Sequence, residues 1–107
     1  MGVFYISTMR RAAKVDRNQP EIVKALRQVG AVVLITSQLK NCFDILVMFQ
    51  GRTYHVELKD GLLHPSARKL TEGEKEFKAK LESVGCKYWV INSIDEALSM
   101  IQGKAEK

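Results

Sequence analysis

The sequence predicts an α/β domain in which a mixed β-sheet is flanked by helices. Three segments repeat apolar residues at helical spacing, and four short segments are rich in β-branched and aromatic residues. Their order along the chain is helix, three strands, helix, strand, helix. Strands joined by short connections should be antiparallel, whereas a helix between the third and fourth strands should make those two parallel.

A length of 107 residues fits one domain. We expect residues 16–103 to form its core. Residues 1–15 fit an extra strand, an arm of a dimer or a disordered segment, and the sequence leaves these alternatives open.

Each of the three helices begins with a predicted capping box, in which a capping side chain and an acid three residues later exchange hydrogen bonds with the backbone. The pairs are Asn18 with Glu21, Thr71 with Glu74, and Ser93 with Glu96. The first helix is predicted over residues 20–29, since an apolar stripe ends there before Gly30. Gly85 should end the second helix, and the third should end near residue 102.

The four strands differ in pattern. The first is a continuous β-branched run that predicts a buried strand, and the third alternates, with His55, Glu57 and Lys59 on one face. Gln50 and Gly51 fit a two-residue hairpin turn between the second and third strands. The predicted strands cover residues 31–36, 43–49, 52–59 and 87–92.

This turn fixes which residues face each other across the hairpin. With Phe49 opposite Arg52, Asp44 lies opposite Glu57, and directly opposed residues have Cβ atoms about 5 Å apart. Two carboxylates at that distance repel each other unless a cation lies between them. Two oxygen donors with the Lys59 ammonium beside them predict a magnesium site. The alternative is a solvated Asp44 at a strand end and a surface ion pair between Glu57 and Lys59.

The charge of the chain favours an anionic partner. Seventeen Lys and Arg against twelve Asp and Glu give a net charge of +5, and the excess lies largely in residues 10–17 and 64–69. Basic surfaces suit nucleic acids, because each neutralised phosphate releases counterions.

Cys42 and Cys86 lack metal-ligand spacing and predict free thiols in a reducing compartment. No segment is long and apolar enough to cross a membrane, so we expect a cytoplasmic protein.

The hairpin also carries a family motif. Residues 43–47 read F-D-I-L-V and residues 56–59 read V-E-L-K, with thirteen residues from Asp44 to Glu57. This pattern resembles the motif of the PD-(D/E)XK nucleases, and the element order over residues 16–98 resembles their restriction-endonuclease-like αβββαβ core. The chain is most similar to small VRR-NUC-type and Holliday-junction-resolvase-like nucleases of phages and prophages.

The chain departs from the family pattern at two places. Relatives usually have Gly-x-Pro or Pro directly before the first acid, whereas this chain has Asn41, Cys42 and Phe43 before Asp44, so the backbone constraint of the Pro is missing. Relatives often carry Gln where this chain has Glu74, which we interpret first as a helix cap.

The resemblance implies a metal-dependent endonuclease. Asp44, Glu57 and the backbone carbonyl of Leu58 would bind Mg²⁺ or Mn²⁺, and Lys59 would orient the attacking water or stabilise the developing charge. Glu21 matches an acid that the family often places on the first helix, where it can complete the metal site. The capping box with Asn18 explains Glu21 equally well.

The substrate that the resemblance implies is DNA, branched or structured, in a bacterial or phage-infected host cell. Symmetric cuts in a four-way junction would need a homodimer. We expect Ser66, Arg68, Lys69 and Arg17 to contact phosphates, although solvated charges or a mobile arm explain these residues as well. The alternative function is a non-catalytic nucleic-acid-binding protein on the same scaffold, and a third is a regulatory or assembly domain without such a partner.

Overall fold

The computed structural model describes residues 18–103 and has the predicted order of elements. In chain order these are α1 (Gln19–Gln28), β1 (Val32–Ile35), β2 (Ile45–Phe49), β3 (Arg52–Leu58), a 3₁₀ helix (Pro65–Arg68), α2 (Glu72–Ser83), β4 (Tyr88–Ile91) and α3 (Ile94–Ile101). The 3₁₀ helix lies between the predicted third strand and the predicted second helix. No helix within the described residues is long and apolar enough to cross a membrane. The extra strand, dimer arm or disordered segment predicted for residues 1–15 lies outside the described residues.

The four strands form one sheet in the order β1-β2-β3-β4. The first three strands are antiparallel neighbours and β4 runs parallel to β3, which confirms the predicted mixed sheet. The β2–β3 turn has positive φ angles of 50° at Gln50 and 79° at Gly51, as a type I′ turn requires. Phe49 pairs with Arg52 and Ile45 with Val56, so the predicted register is confirmed.

The core lies on the face of the sheet that α1 and α3 cover. Alternate residues of the central strands, including Ile45, Val47 and Val56, are buried against the apolar stripes of these two helices. The other residues of the same strands, His55 and Glu57 among them, therefore point to the opposite face. There, Nζ of Lys59 contacts both Glu57 and Glu74 of α2, so α2 lies over this second face.

The prediction that the first strand is buried is wrong, because most of β1 is exposed. Only Val33 of this strand is buried, whereas Val32, Leu34 and Ile35 are each more than half exposed. Within the described part of the chain β1 is an edge of the sheet, and its partner is β2 alone. An apolar run does not reveal a strand's position in the sheet, which explains the wrong prediction.

The capping boxes were predicted with mixed success. The box of Thr71 and Glu74 is confirmed in both directions. At α3, Ser93 accepts from the backbone of Glu96, but the Glu96 carboxylate accepts from Asn92, so only half of that box forms. At α1 the box is absent, because the Asn18 side chain makes no capping hydrogen bond.

Candidate active site

Two carboxylates meet at the end of the β2–β3 hairpin where the turn places them. Asp44 directly precedes β2, and its backbone N–H donates to the carbonyl of Val56. Since Ile45 pairs with Val56, the next pair along the hairpin is Asp44 with Glu57. The backbone N–H of Leu58 donates to Oδ2 of Asp44 at 2.8 Å. This bond holds the Asp44 carboxylate across the end of β3 instead of leaving it solvated, which argues against the alternative of a free strand-end acid.

Glu57 is a buried acid, with only 4% of its surface exposed. Its pKa is raised from an ordinary 4.5 to about 9, first by burial and then by the negative charge of Asp44. Glu74 raises this pKa further through a hydrogen bond and its own charge, and Lys59 opposes the rise. The protonated form of Glu57 is therefore favoured at neutral pH, since the described residues of the site bring the carboxylates of Asp44, Glu57 and Glu74 together with the ammonium of Lys59.

Lys59 links the two strand acids to α2. Its Nζ lies 3.0 Å from Oε1 of Glu74 and 3.6 Å from Oε2 of Glu57. The Glu57–Lys59 pair of the alternative interpretation exists, but it is the longer of the two contacts and is not at the surface. Although burial alone raises the pKa of Glu74, its hydrogen bonds with Glu57, the Thr71 backbone and Lys59 lower it overall. Glu74 is thus both the predicted helix cap and the main partner of Lys59.

Tyr88 is a member of this cluster that the sequence did not predict. Its hydroxyl donates to Oε1 of Glu57 at 3.3 Å, and burial and the nearby acids raise the pKa of Tyr88. Trp89, its neighbour in β4, belongs instead to the buried core cluster. The register that pairs Tyr88 with His55 puts the tyrosine on the face of Glu57, but this register was unknown from sequence. His55 itself lies opposite Leu46, as predicted.

Asn18 supports the backbone behind the site. Its Nδ2 donates to the carbonyl oxygens of Lys59 at 3.0 Å and Asn92 at 3.1 Å, where two parallel strands end. These two bonds take the place of the predicted cap on α1, because the Asn18 side chain donates to strand-end carbonyls instead of accepting from the first turn of the helix. The sequence carried no signal for contacts across 41 and 74 residues of chain.

The donors at the hairpin end fit a divalent cation of the magnesium class. Mg²⁺ in proteins uses one or two carboxylates and keeps several waters, and Asp44 and Glu57 supply such a pair. The described residues contain no group of three or more His, Cys, Asp or Glu side chains that could hold a metal ion. Glu21 therefore does not join the two hairpin acids. It is exposed and lines a separate cavity with Asn18 and Asp60.

The predicted phosphate contacts are not all brought together. Ser66 and Lys69 are exposed, and Oγ of Ser66 lies 3.0 Å from Nδ1 of His64, which accepts from the Ser66 backbone. Arg68 is half-buried and lines the cavity that contains Glu21. Arg17 lies outside the described residues. Cys42 and Cys86 are free thiols, as predicted.

The fold has a match among solved structures. A structure described as a VRR_NUC domain aligns with this chain at a TM-score of 0.60 and 20% sequence identity, over 80% of this chain and 91% of that one. No protein-family model and no curated protein matches the sequence. The chain has the fold of a VRR_NUC domain, so the predicted resemblance is confirmed at the level of the fold.

Proposed function

We propose that this chain is a metal-dependent endonuclease that hydrolyses phosphodiester bonds of DNA. The observation that carries the proposal is the position of Asp44 opposite the buried Glu57, with the Lys59 ammonium beside them. A structural role gives no reason to bury an acid next to another acid, whereas a cation site does. The VRR_NUC fold of the chain supports the nuclease class.

Asp44 and Glu57 would hold Mg²⁺ or Mn²⁺, with the carbonyl of Leu58 as a further ligand. When bound, the ion supplies a water of lowered pKa and polarises the scissile phosphate. The backbone N–H of Leu58 fixes one oxygen of Asp44, and the hydroxyl of Tyr88 orients one oxygen of Glu57. Glu21 is left out of this set because it lies with a different group of residues.

Lys59 would stabilise the negative charge that develops on the phosphate or orient the attacking water. Its ammonium lies between Glu57 and Glu74, so it is held near the pair of strand acids. Glu74 is a positioning residue in this proposal, since it contacts Lys59 and Glu57 and no substrate. A fixed ammonium is effective because it needs no rearrangement when the charge appears.

We infer branched or structured DNA as the substrate and a homodimer as the active form. So small a domain offers little surface for reading base sequence, which favours recognition of shape and phosphates. Symmetric cuts in a four-way junction need two related sites, and the exposed apolar residues of β1 offer a surface for a second copy. A bacterial or phage-infected cytoplasm remains the predicted location.

The test is cleavage of a four-way DNA junction with Mg²⁺ and with EDTA. We expect Mg²⁺-dependent cutting that falls about 100-fold or more in Lys59→Ala, the range for loss of one charge-stabilising donor. The control is Lys78→Ala, which removes an ammonium paired with Glu82 at 2.9 Å on the exposed side of α2. This variant should cut like the unmodified chain.

Two outcomes would contradict the proposal. Cutting that is equal in Lys59→Ala and Lys78→Ala would remove Lys59 from the site. Salt-sensitive DNA binding without any cutting in Mg²⁺ or Mn²⁺ would identify the chain as a non-catalytic nucleic-acid-binding protein.

A further inference from the structure

The two edges of the sheet differ in how they are protected. Beside β4, the ammonium of Lys87 lies 3.9 Å from the ring of Trp89, and a lysine at a sheet edge discourages pairing with another chain. β1 has no charged residue, and its Val32, Leu34 and Ile35 are each more than half exposed. Among the described residues, β1 is therefore the edge that favours an added strand.

The backbone of β1 presents hydrogen-bonding groups at this edge. The N–H of Thr36 donates to the carbonyl of Asp44 at 2.8 Å, so it points toward β2. Because these directions alternate along a strand, the backbone groups of Val33 and Ile35 point outward. Nη2 of Arg27 accordingly reaches the carbonyl of Val33 from outside the sheet, at 2.8 Å. A carbonyl has two lone pairs, so this contact leaves one of them for a partner strand.

An apolar groove lies beside the same edge, on the core side of the sheet. Its volume is about 540 Å³, and its lining includes Pro20 and Val23 of α1 and Ile35 of β1. A strand added to β1 would place alternate side chains on this side of the sheet, next to the groove. The edge therefore offers apolar contacts as well as backbone hydrogen bonds.

The charges of α1 indicate what kind of chain fits beside the groove. Glu21 lies in the first turn of this helix and Arg27 in its last turn. Two copies of α1 that run antiparallel bring the acid of each helix toward the cation of the other, whereas parallel copies bring like charges together. A second copy of the chain in an antiparallel arrangement is thus complementary in charge.

We propose that a second copy of this chain pairs its β1 with β1 in antiparallel orientation, about a two-fold axis at Leu34. The two four-stranded sheets then form one continuous sheet. The partner's Leu34 lies opposite Leu34, and the partner's Ile35 lies opposite Val33 and exchanges two backbone hydrogen bonds with it. Such a pair uses the same surface on both copies, as a closed dimer requires.

The register centred on Leu34 follows from the groups that are free to pair. A centre one residue earlier needs the N–H of Ala31, which donates to the carbonyl of Leu26 at 3.1 Å. A centre one residue later needs Ser37, which lies beyond the end of β1. Only the centre at Leu34 keeps both outward-pointing residues within the strand.

This arrangement places both pairs of acids on the same face of the joined sheet, because the two-fold axis is perpendicular to it. Asp44 lies opposite Thr36, two residues along β1 from Leu34, and Glu57 lies one strand farther from the axis. Strand spacing then puts the two sites about 24 Å apart. The inference rests on the proposed function and specifies the homodimer that this function needs, with both sites turned toward one DNA junction.

The test is disulfide formation between two chains that each carry one introduced cysteine. The background is Cys42→Ser with Cys86→Ser, which removes the two free thiols. We expect Leu34→Cys in this background to form a disulfide-linked dimer on mild oxidation, since its two Cα atoms would lie about 4.5 Å apart. The measurement is a doubling of mass on a non-reducing gel.

The matched control is Val32→Cys in the same background. Val32 lies on the same strand and face as Leu34 and is 58% exposed, against 52% for Leu34. In the proposed register its two Cα atoms are about 14 Å apart, which is beyond the reach of a disulfide. This variant should remain a single chain on the gel.

Three results would overturn the inference. These are the absence of a disulfide in Leu34→Cys, equal disulfide formation in Val32→Cys, and a monomer at every concentration in which the Ile35 amide is protected from hydrogen exchange. The last result would show that another segment of the same chain covers β1. The test needs neither metal nor DNA, so it fails separately from the proposed function. A chain that cuts DNA without this disulfide loses only the β1 dimer, and one that forms it without cutting loses only the hydrolysis.

Discussion

At the scale of single residues, Glu57 is the feature that organises the site. Burial and its neighbour Asp44 favour the protonated form, Tyr88 donates to one of its oxygens, and the Lys59 ammonium lies 3.6 Å from the other. A divalent cation would replace the proton, since a metal ligand must give up its proton on binding. The raised pKa of Glu57 and the proposed metal site therefore have the same physical origin, which is an excess of negative charge in a confined space.

The first prediction concerns stability against pH. The folded, metal-free chain holds a proton on Glu57 up to a pKa of about 9, whereas the unfolded chain releases it near 4.5. The stabilisation from Glu57 is thus complete below about pH 4.5 and is lost as the pH rises through 9. The free energy of unfolding in EDTA should fall between pH 5 and pH 9, measured by urea denaturation.

The matched variant is Glu57→Gln, which is neutral at every pH. Its free energy of unfolding should depend less on pH over the same interval, because the group that titrates differently in the two states is gone. Parallel curves for the two proteins would show that Glu57 is ionised in the folded chain at neutral pH.

The sequence predicted the two hairpin acids but not their supports. Asp44 and Glu57 could be paired because a two-residue turn fixes the register of everything along the hairpin. Tyr88 and Asn18 reach the site through contacts between segments far apart in the chain, and no local pattern encodes those. Glu74 was recognised as a cap, but its contact with Lys59 depends on how α2 lies on the sheet.

At the scale of elements, the β2–β3 turn is the decisive one. Both of its central residues have positive φ, which suits Gly51 and strains Gln50, since a side chain in this region contacts the following carbonyl. Only one of the two central turn residues therefore suits the conformation of the turn, although this turn fixes the register that brings the two acids together.

The second prediction follows from this strain. Gln50→Asn should raise the free energy of unfolding by about 0.5 kcal/mol, because Asn tolerates the left-handed region and Asn-Gly is favoured in type I′ turns. Gly51→Ala should lower it by about 1 kcal/mol. Both are measured by urea denaturation at one pH. A Gln50→Asn chain that is no more stable than the parent would contradict a type I′ turn here.

The wrong predictions for elements have a common cause. Asn18 and Glu21 have the letters of a capping box, yet the Asn18 side chain donates to the carbonyls of Lys59 and Asn92 instead of capping α1. Strand β1 has the letters of a buried strand, yet it lies at an edge. In both cases the local pattern was read correctly and the tertiary surroundings decided the outcome.

At the scale of the whole molecule, the order of elements and the mixed sheet followed from periodicity and chain connectivity, and the VRR_NUC-like fold confirms them. Periodicity and connectivity did not predict which strand lies at an edge of the sheet. The exposed residues of β1 are the clearest consequence, because among the described residues no strand pairs with its outer edge. The carbonyl of Val33 is covered by Nη2 of Arg27 at 2.8 Å, which partly protects the edge.

The third prediction concerns assembly. If a second copy covers β1, Leu34→Lys should convert the dimer to a monomer, since Leu34 is 52% exposed and a buried unpaired ammonium is unfavourable. The measurement is molar mass by light scattering across a range of concentrations. Leu39→Lys, at an exposed leucine in the β1–β2 connection, serves as the control and should remain dimeric. A parent chain that is monomeric at every concentration would contradict the homodimer.

The measurement that tests the central claim most directly is a crystal structure with Mn²⁺, located by its anomalous scattering. We predict an anomalous peak bonded to carboxylate oxygens of both Asp44 and Glu57, with the Glu57 proton displaced. The same crystal treated with EDTA should lose the peak. An anomalous peak held by Glu21, Asp60 or Glu96 in the neighbouring cavity, or no peak at the hairpin acids at saturating Mn²⁺, would contradict the account.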